Sequence, residues 1–212
     1  YKNKIEKLHE LALHYLSHID LIMQTTHHQP YNILGWSLGG QIALEIASIL
    51  EARGEKRINL FLIDTVLYDE NMLSLSQDLD LNNRQKTYEK NALLQGIEKD
   101  YIQKILSNMK IENKLVRYKI SSELIYTKAI LFKAMLTDLN FNTKFAKKIY
   151  KCLNKLKYNN IEKVFGLKNN LTLYSVTNAN HFNIIDQREL LCDVIVRSLS
   201  FDFDNPAQKA TC

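Results

Sequence analysis

Ile5, Leu8, Leu11, Ala12, Tyr15, Ile19 and Ile22 recur at three- and four-residue steps, and the spacing predicts an amphipathic helix over residues 4–23. Polar residues 24–29 and Pro30 end it. Residues 31–34 (YNIL) are short, apolar and β-prone, and read as a buried strand. A glycine-rich turn, residues 35–40, follows directly. Ile42, Ala43, Ile46, Ala47, Ile49 and Leu50 then mark a second helix, with Gly54 as its stop. Residues 58–63 (INLFLI) read as a second buried strand ending at Asp64. Helix, strand, helix, strand in this rhythm predicts an α/β domain with a parallel sheet, because parallel neighbours need a crossover helix.

Residues 66–122 lose that rhythm and read as a mostly helical insertion, with residues 91–106 as one helical stretch. Residues 125–135 predict the next strand, 144–165 another basic helical stretch and 171–176 (LTLYSV) a last strand. Residues 187–200 predict a closing helix, with Leu190, Leu191, Val194, Ile195 and Leu199 on its apolar face. The tail from 201 to 212 reads as frayed.

Composition narrows the class. The chain has 212 residues, 46% hydrophobic, with six glycines and two prolines, which fits one globular domain and excludes collagen-like and disordered chains. No apolar run approaches the ~20 residues of a membrane-spanning helix. The three cysteines, Cys152, Cys192 and Cys212, show no CxxC spacing and fit a reducing, cytoplasmic setting. The first residue is Tyr1 and no signal segment follows, so the chain reads as an internal piece or a trimmed chain, with sequence expected upstream. The net charge of +5 divides unevenly: −5 over residues 1–81, +11 over 82–160 and −1 over 161–212. A basic middle third suits a separate insertion, a face toward an anionic partner, or plain solvated helix faces. It carries no aromatic-interleaved stripe, so nucleic acid is not indicated.

Gly35-Trp36-Ser37-Leu38-Gly39 fits the G-x-S-x-G nucleophile elbow, between a predicted strand and a predicted helix. Such a serine stands on a sharp turn where neighbouring side chains would obstruct, so Gly35 and Gly39 are expected to relieve clashes. The turn also aims backbone N–H groups of the following helix at a developing oxyanion. A serine hydroxyl needs a base, and the base an orienting acid. His181 is the only histidine after the elbow and follows a strand end; His9, His14, His18, His27 and His28 precede it. His14 and His18 share a helix face, but no third ligand is evident and no metal is expected. Two acids are candidates. Asp64 ends the strand after the elbow helix, and Asp138 follows the next strand; position favours Asp64.

The blocks NILGWSLGGQIALEIA (32–47), LIDT (62–65) and Asn180-His181-Phe182 resemble the thioesterase domains that end nonribosomal peptide and polyketide synthases. The resemblance spans residues 5–199. It implies an α/β-hydrolase fold in one domain, residues 1–212, with a helical lid at 66–122. It also implies that the acid comes from the strand directly after the elbow helix, which is Asp64. The implied reaction is release of an acyl or peptidyl chain from the phosphopantetheine thioester of a carrier protein, by water or an internal nucleophile. Ser37 is the implied nucleophile, His181 the base, Asp64 its orienter and Leu38 N–H an oxyanion donor; no bound cofactor is implied. In the family a second oxyanion donor comes from a strand and loop before the first helix; this chain is expected to begin too late, at Tyr1, to contain these N-terminal strands, which would leave a sheet edge open. Lys99, Lys104 and Lys110 are expected to favour docking of an acidic carrier. Two other readings stand: a free-standing esterase or lipase of the same fold, which the same residues would serve, and a truncated domain that only binds a partner.

Overall fold

The computed structural model describes residues 7–25, 29–75, 78–136, 148 and 151–200. Ile5, His27, His28, Asp138, Cys212 and the tail lie outside the described residues.

Four strands, β1 (Tyr31–Trp36), β2 (Ile58–Ile63), β3 (Lys128–Ala134) and β4 (Leu171–Val176), form a parallel sheet in the order β1-β2-β3-β4. The period of two sends alternate residues to opposite faces. Leu60, Leu62, Ala129 and Leu131 face a core built with α1 (Leu8–Met23) and α2 (Leu38–Ala52). Phe61, Ile63, Ile130 and Phe132 face a second core closed by α6 (Arg188–Ser200). Both faces are therefore apolar, which is why β2 reads as a continuous hydrophobic run. Fully buried Leu44 and Leu50 on α2 each contribute about 1.5–3 kcal/mol.

Between β2 and β3 the chain runs through α3 (Glu70–Leu75), α4 (Asp78–Leu94) and α5 (Lys99–Leu115). α4 and α5 share a small core of their own around Ala92, Ile102 and Leu106. The single helical stretch expected over 91–106 is broken there. Gly96 takes φ +76°, its N–H meets the Leu93 carbonyl at 3.1 Å, and the Ile97 N–H meets Ala92 at 3.0 Å. That is a Schellman cap, so the apolar period runs across two helices rather than along one.

Two further expectations are corrected. The strand predicted from 125 starts at Lys128, because Glu51 on α2 captures the residues before it. Its carboxylate accepts N–H groups from Ile125 (2.8 Å), Tyr126 (3.0 Å) and Thr127 (2.7 Å), and the Thr127 hydroxyl at 2.6 Å. One and two helical turns earlier, Ser48 meets Ser122 at 2.7 Å and Glu45 accepts the Ser121 N–H at 2.8 Å. Glu45 also meets the Ser121 hydroxyl and, at 2.7 Å, His9 Nδ1. This polar row on α2 fastens the return from the helical insertion. The helix expected over 144–165 does not extend to its end: residues 157–160 form turns and Ile161–Val164 a short 3-10 helix. The helical residues end at Leu153, and Asn159 and Asn160, both at positive φ (54° and 65°), keep a right-handed helix from resuming before Ile161.

Candidate active site

The candidate site lies at the carboxyl edge of the sheet, where an open parallel sheet collects its ligands. Ser37 joins β1 to α2 with φ 55° and ψ −118°. A non-glycine residue there carries about 1–3 kcal/mol of strain. The turn is held by the Ser37 N–H to the Ile63 carbonyl (2.9 Å) and the Gly40 N–H to the Ser37 carbonyl (3.1 Å). A Cβ at Gly35 would lie 2.4 Å from the Gly39 carbonyl carbon and oxygen, so only glycine lets β1 pass under the helix start.

Gly39 itself is a correction. A Cβ there would meet nothing within 4 Å, whereas one at Gly40 would lie 1.8 Å from Thr65 Oγ1. The second close approach is thus between α2 and the residue after Asp64, one position later than the motif suggests. Gly35→Ala is expected to cost about 3 kcal/mol, roughly 10 °C in Tm, and Gly39→Ala to leave Tm unchanged or slightly raised. Thermal unfolding of both variants checks the contrast.

Asp64 follows β2 with φ 42° and is largely buried. Its N–H donates to the Phe132 carbonyl at 2.7 Å, and its Oδ1 accepts the Ala134 N–H at 3.1 Å. Its Oδ2 faces His181 Nδ1 at 2.8 Å. A carboxylate only accepts here, so Nδ1 carries the proton, and in the neutral tautomer this selects, Nε2 is the nitrogen with the lone pair. Asn159 and Asn160 brace the chain beyond Asp64, donating to the carbonyls of Thr65 (3.1 Å) and Leu67 (2.9 Å).

His181 sits in the loop between β4 and α6. Asn180 and Asn183 shape that loop: Asn183 Oδ1 accepts the Asn180 N–H at 2.7 Å, and Asn180 Oδ1 accepts those of Phe182 (2.9 Å) and Asn183 (3.0 Å). The imidazole packs against Trp36, with ring centroids 5.5 Å apart. The structure thus joins Asp64 to His181 directly and brings His181 to the residue preceding Ser37. Among the described residues no hydrogen bond links Ser37 Oγ to the ring; such bonds are often long before substrate binds.

Sequence reading missed the supports: Asn159, Asn160 and Asn183, and Lys133. The paired asparagines at 159–160 and the N-x-x-N spacing at 180–183 were available turn signals. Lys133, buried on β3, donates to the carbonyls of Leu153 (3.3 Å) and Leu156. Burial pushes its ammonium below the usual lysine range, while Asp64 and Glu162 oppose that shift.

A parallel sheet between helical layers, with a strained serine at a strand-to-helix turn and an acid–histidine pair at the same edge, defines an α/β-hydrolase. Residues 2–111 match the thioesterase domain family, and the chain belongs to it. It is therefore a hydrolase of the class that acts on thioesters. Over 203 residues it is 23% identical to N-(5-amino-5-carboxypentanoyl)-L-cysteinyl-D-valine synthase of Penicillium rubens, covering 94% of this chain and 5% of that protein. Over 49 residues it is 45% identical to enterobactin synthase component F of Escherichia coli, covering 23% of this chain and 4% of that one. The chain thus corresponds to a small part of these long synthases. Among solved structures, the NocB thioesterase domain from the nocardicin cluster shares the fold at a TM-score of 0.59 and 18% identity, covering 94% of this chain and 76% of that one. Human thioesterase 2 does so at 0.56 and 14%, covering 90% and 81%.

Proposed function

We propose that the domain releases an acyl or peptidyl chain from the phosphopantetheine thioester of a carrier protein, through an acyl-serine on Ser37. The observation that carries this reading is the Asp64–His181 hydrogen bond at 2.8 Å, beside the turn that bears Ser37. His181 Nε2 takes the Ser37 proton as Oγ attacks the thioester carbonyl. The Leu38 N–H, at the start of α2, donates to the oxyanion; one such donor is worth about 3 kcal/mol. The tetrahedral intermediate collapses, the pantetheine thiolate leaves and takes up the proton from His181, and water or an internal amine or hydroxyl then attacks the ester. Asp64 keeps the imidazole in the tautomer this relay needs. Residues 66–122 would act as the lid, with α4 and α5 over the acyl chain.

A comparison of substrates tests the reading against a general esterase. The expected result is a kcat/KM for acyl-pantetheine thioesters at least about tenfold above that for matched oxygen esters. The reverse order would favour the esterase. Lys99, Lys104 and Lys110 are exposed on α5 and would meet an acidic carrier. Raising salt from about 0.05 to 0.5 M should therefore slow acyl-carrier association several-fold in stopped-flow measurements while sparing free acyl-pantetheine. An on-rate unchanged by salt would remove the docking role of these lysines.

A further inference from the structure

Trp36 occupies the last position of β1 and pairs with Ile63, on the sheet face closed by α6. The β1 side of that face is open, with Leu34 and Trp36 55% and 37% exposed. A tryptophan at such an open strand end has only water for its indole N–H unless another element supplies an acceptor. Here the Nε1–H donates to the backbone carbonyl of His181 at 3.2 Å, across 145 residues of sequence. The indole lies 5.5 Å from the imidazole, centroid to centroid, at 30°, while Phe182 meets the same ring edge-on at 5.3 Å. Asp64 holds the remaining side through Nδ1.

We propose that Trp36 is a positioning residue for His181. Its N–H ties the histidine loop to the strand that carries Ser37, and its ring supports the imidazole. When the ring accepts the Ser37 proton, the face of the indole also stabilises the imidazolium. The proposal rests on the reading of His181 as the base. Among the described residues, Asp64 contacts the ring and Lys133 on β3 acts on Asp64.

The test combines kinetics with fluorescence. Trp36→Leu removes both the N–H and the ring, and is expected to lower kcat on an acyl-pantetheine thioester about tenfold with KM within twofold. Trp36→Phe keeps a ring but not the N–H, and should recover only part of that loss. Unchanged kcat in Trp36→Leu, or a rise in KM alone, overturns the proposal. Trp36 is also the only tryptophan of the chain, so intrinsic fluorescence reports this contact without any turnover. A protonated imidazole quenches an indole it touches. Emission of the wild-type protein should therefore fall on acidification, and the fall should vanish in His181→Gln. An identical pH response in both proteins overturns the contact, even if Trp36→Leu fails to fold. Coupled fluorescence in a wild-type protein that turns over no thioester would uphold the contact and overturn the function it rests on.

Discussion

Replacing Ser37 by alanine is expected to lower kcat on an acyl-pantetheine thioester about 10⁶-fold. The effect is large because no other group stands at the strand-to-helix turn with its side chain free to attack. The fold should survive, since the bonds that hold the turn, Ser37 N–H to Ile63 and Gly40 N–H to the Ser37 carbonyl, are backbone bonds. His181→Ala should cost nearly as much, because the hydroxyl then has no acceptor for its proton. The two losses should not add: the double variant is expected to match either single one, as groups acting in one step do. Single-turnover kinetics of the three proteins, with melting curves to confirm folding, measure this. A Ser37→Ala protein that keeps activity would assign the nucleophile elsewhere.

Asp64→Asn is expected to lower kcat about 10⁴-fold with little change in KM. Asparagine can keep the Ala134 N–H on its amide oxygen, and it tolerates the positive φ of 42° that Asp64 adopts. The fold is therefore preserved. The amide nitrogen, however, would face His181 Nδ1 as a donor. The imidazole must then accept at Nδ1 and carry its proton on Nε2, the nitrogen that should take the serine proton. The variant is a folded protein with the wrong tautomer. Equal kcat in Asp64→Asn and wild type would show that the 2.8 Å contact is structural only.

β2 and β4 were legible to the residue, because INLFLI and LTLYSV are bounded by polar positions, and for β2 both faces are buried. The elbow was legible because its glycine spacing answers a local steric need. Elsewhere long-range contacts decided. Residues 125–127 have strand-like side chains, yet Glu51 takes their N–H groups before the sheet can. Gly96 splits a continuous apolar period because α4 and α5 bury the same stripe against each other. The shift of the tight glycine from 39 to 40 depends on Thr65, which no local pattern relates to the elbow. Asp64 was readable from its strand end, but its hold on the Ala134 N–H and on His181 comes only from the parallel register of β2 and β3 and the loop after β4. Lys133 was illegible for the same reason, being one lysine among many in a basic stretch.

The most direct measurement is the mass of the protein quenched during turnover of an acyl-pantetheine thioester, followed by peptide mapping. The expected result is one added acyl group, located on Ser37 and lost in His181→Ala. An adduct on another side chain, an adduct formed equally well without His181, or none at all while the folded protein turns the substrate over, would contradict a serine relay built from residues 37, 64 and 181.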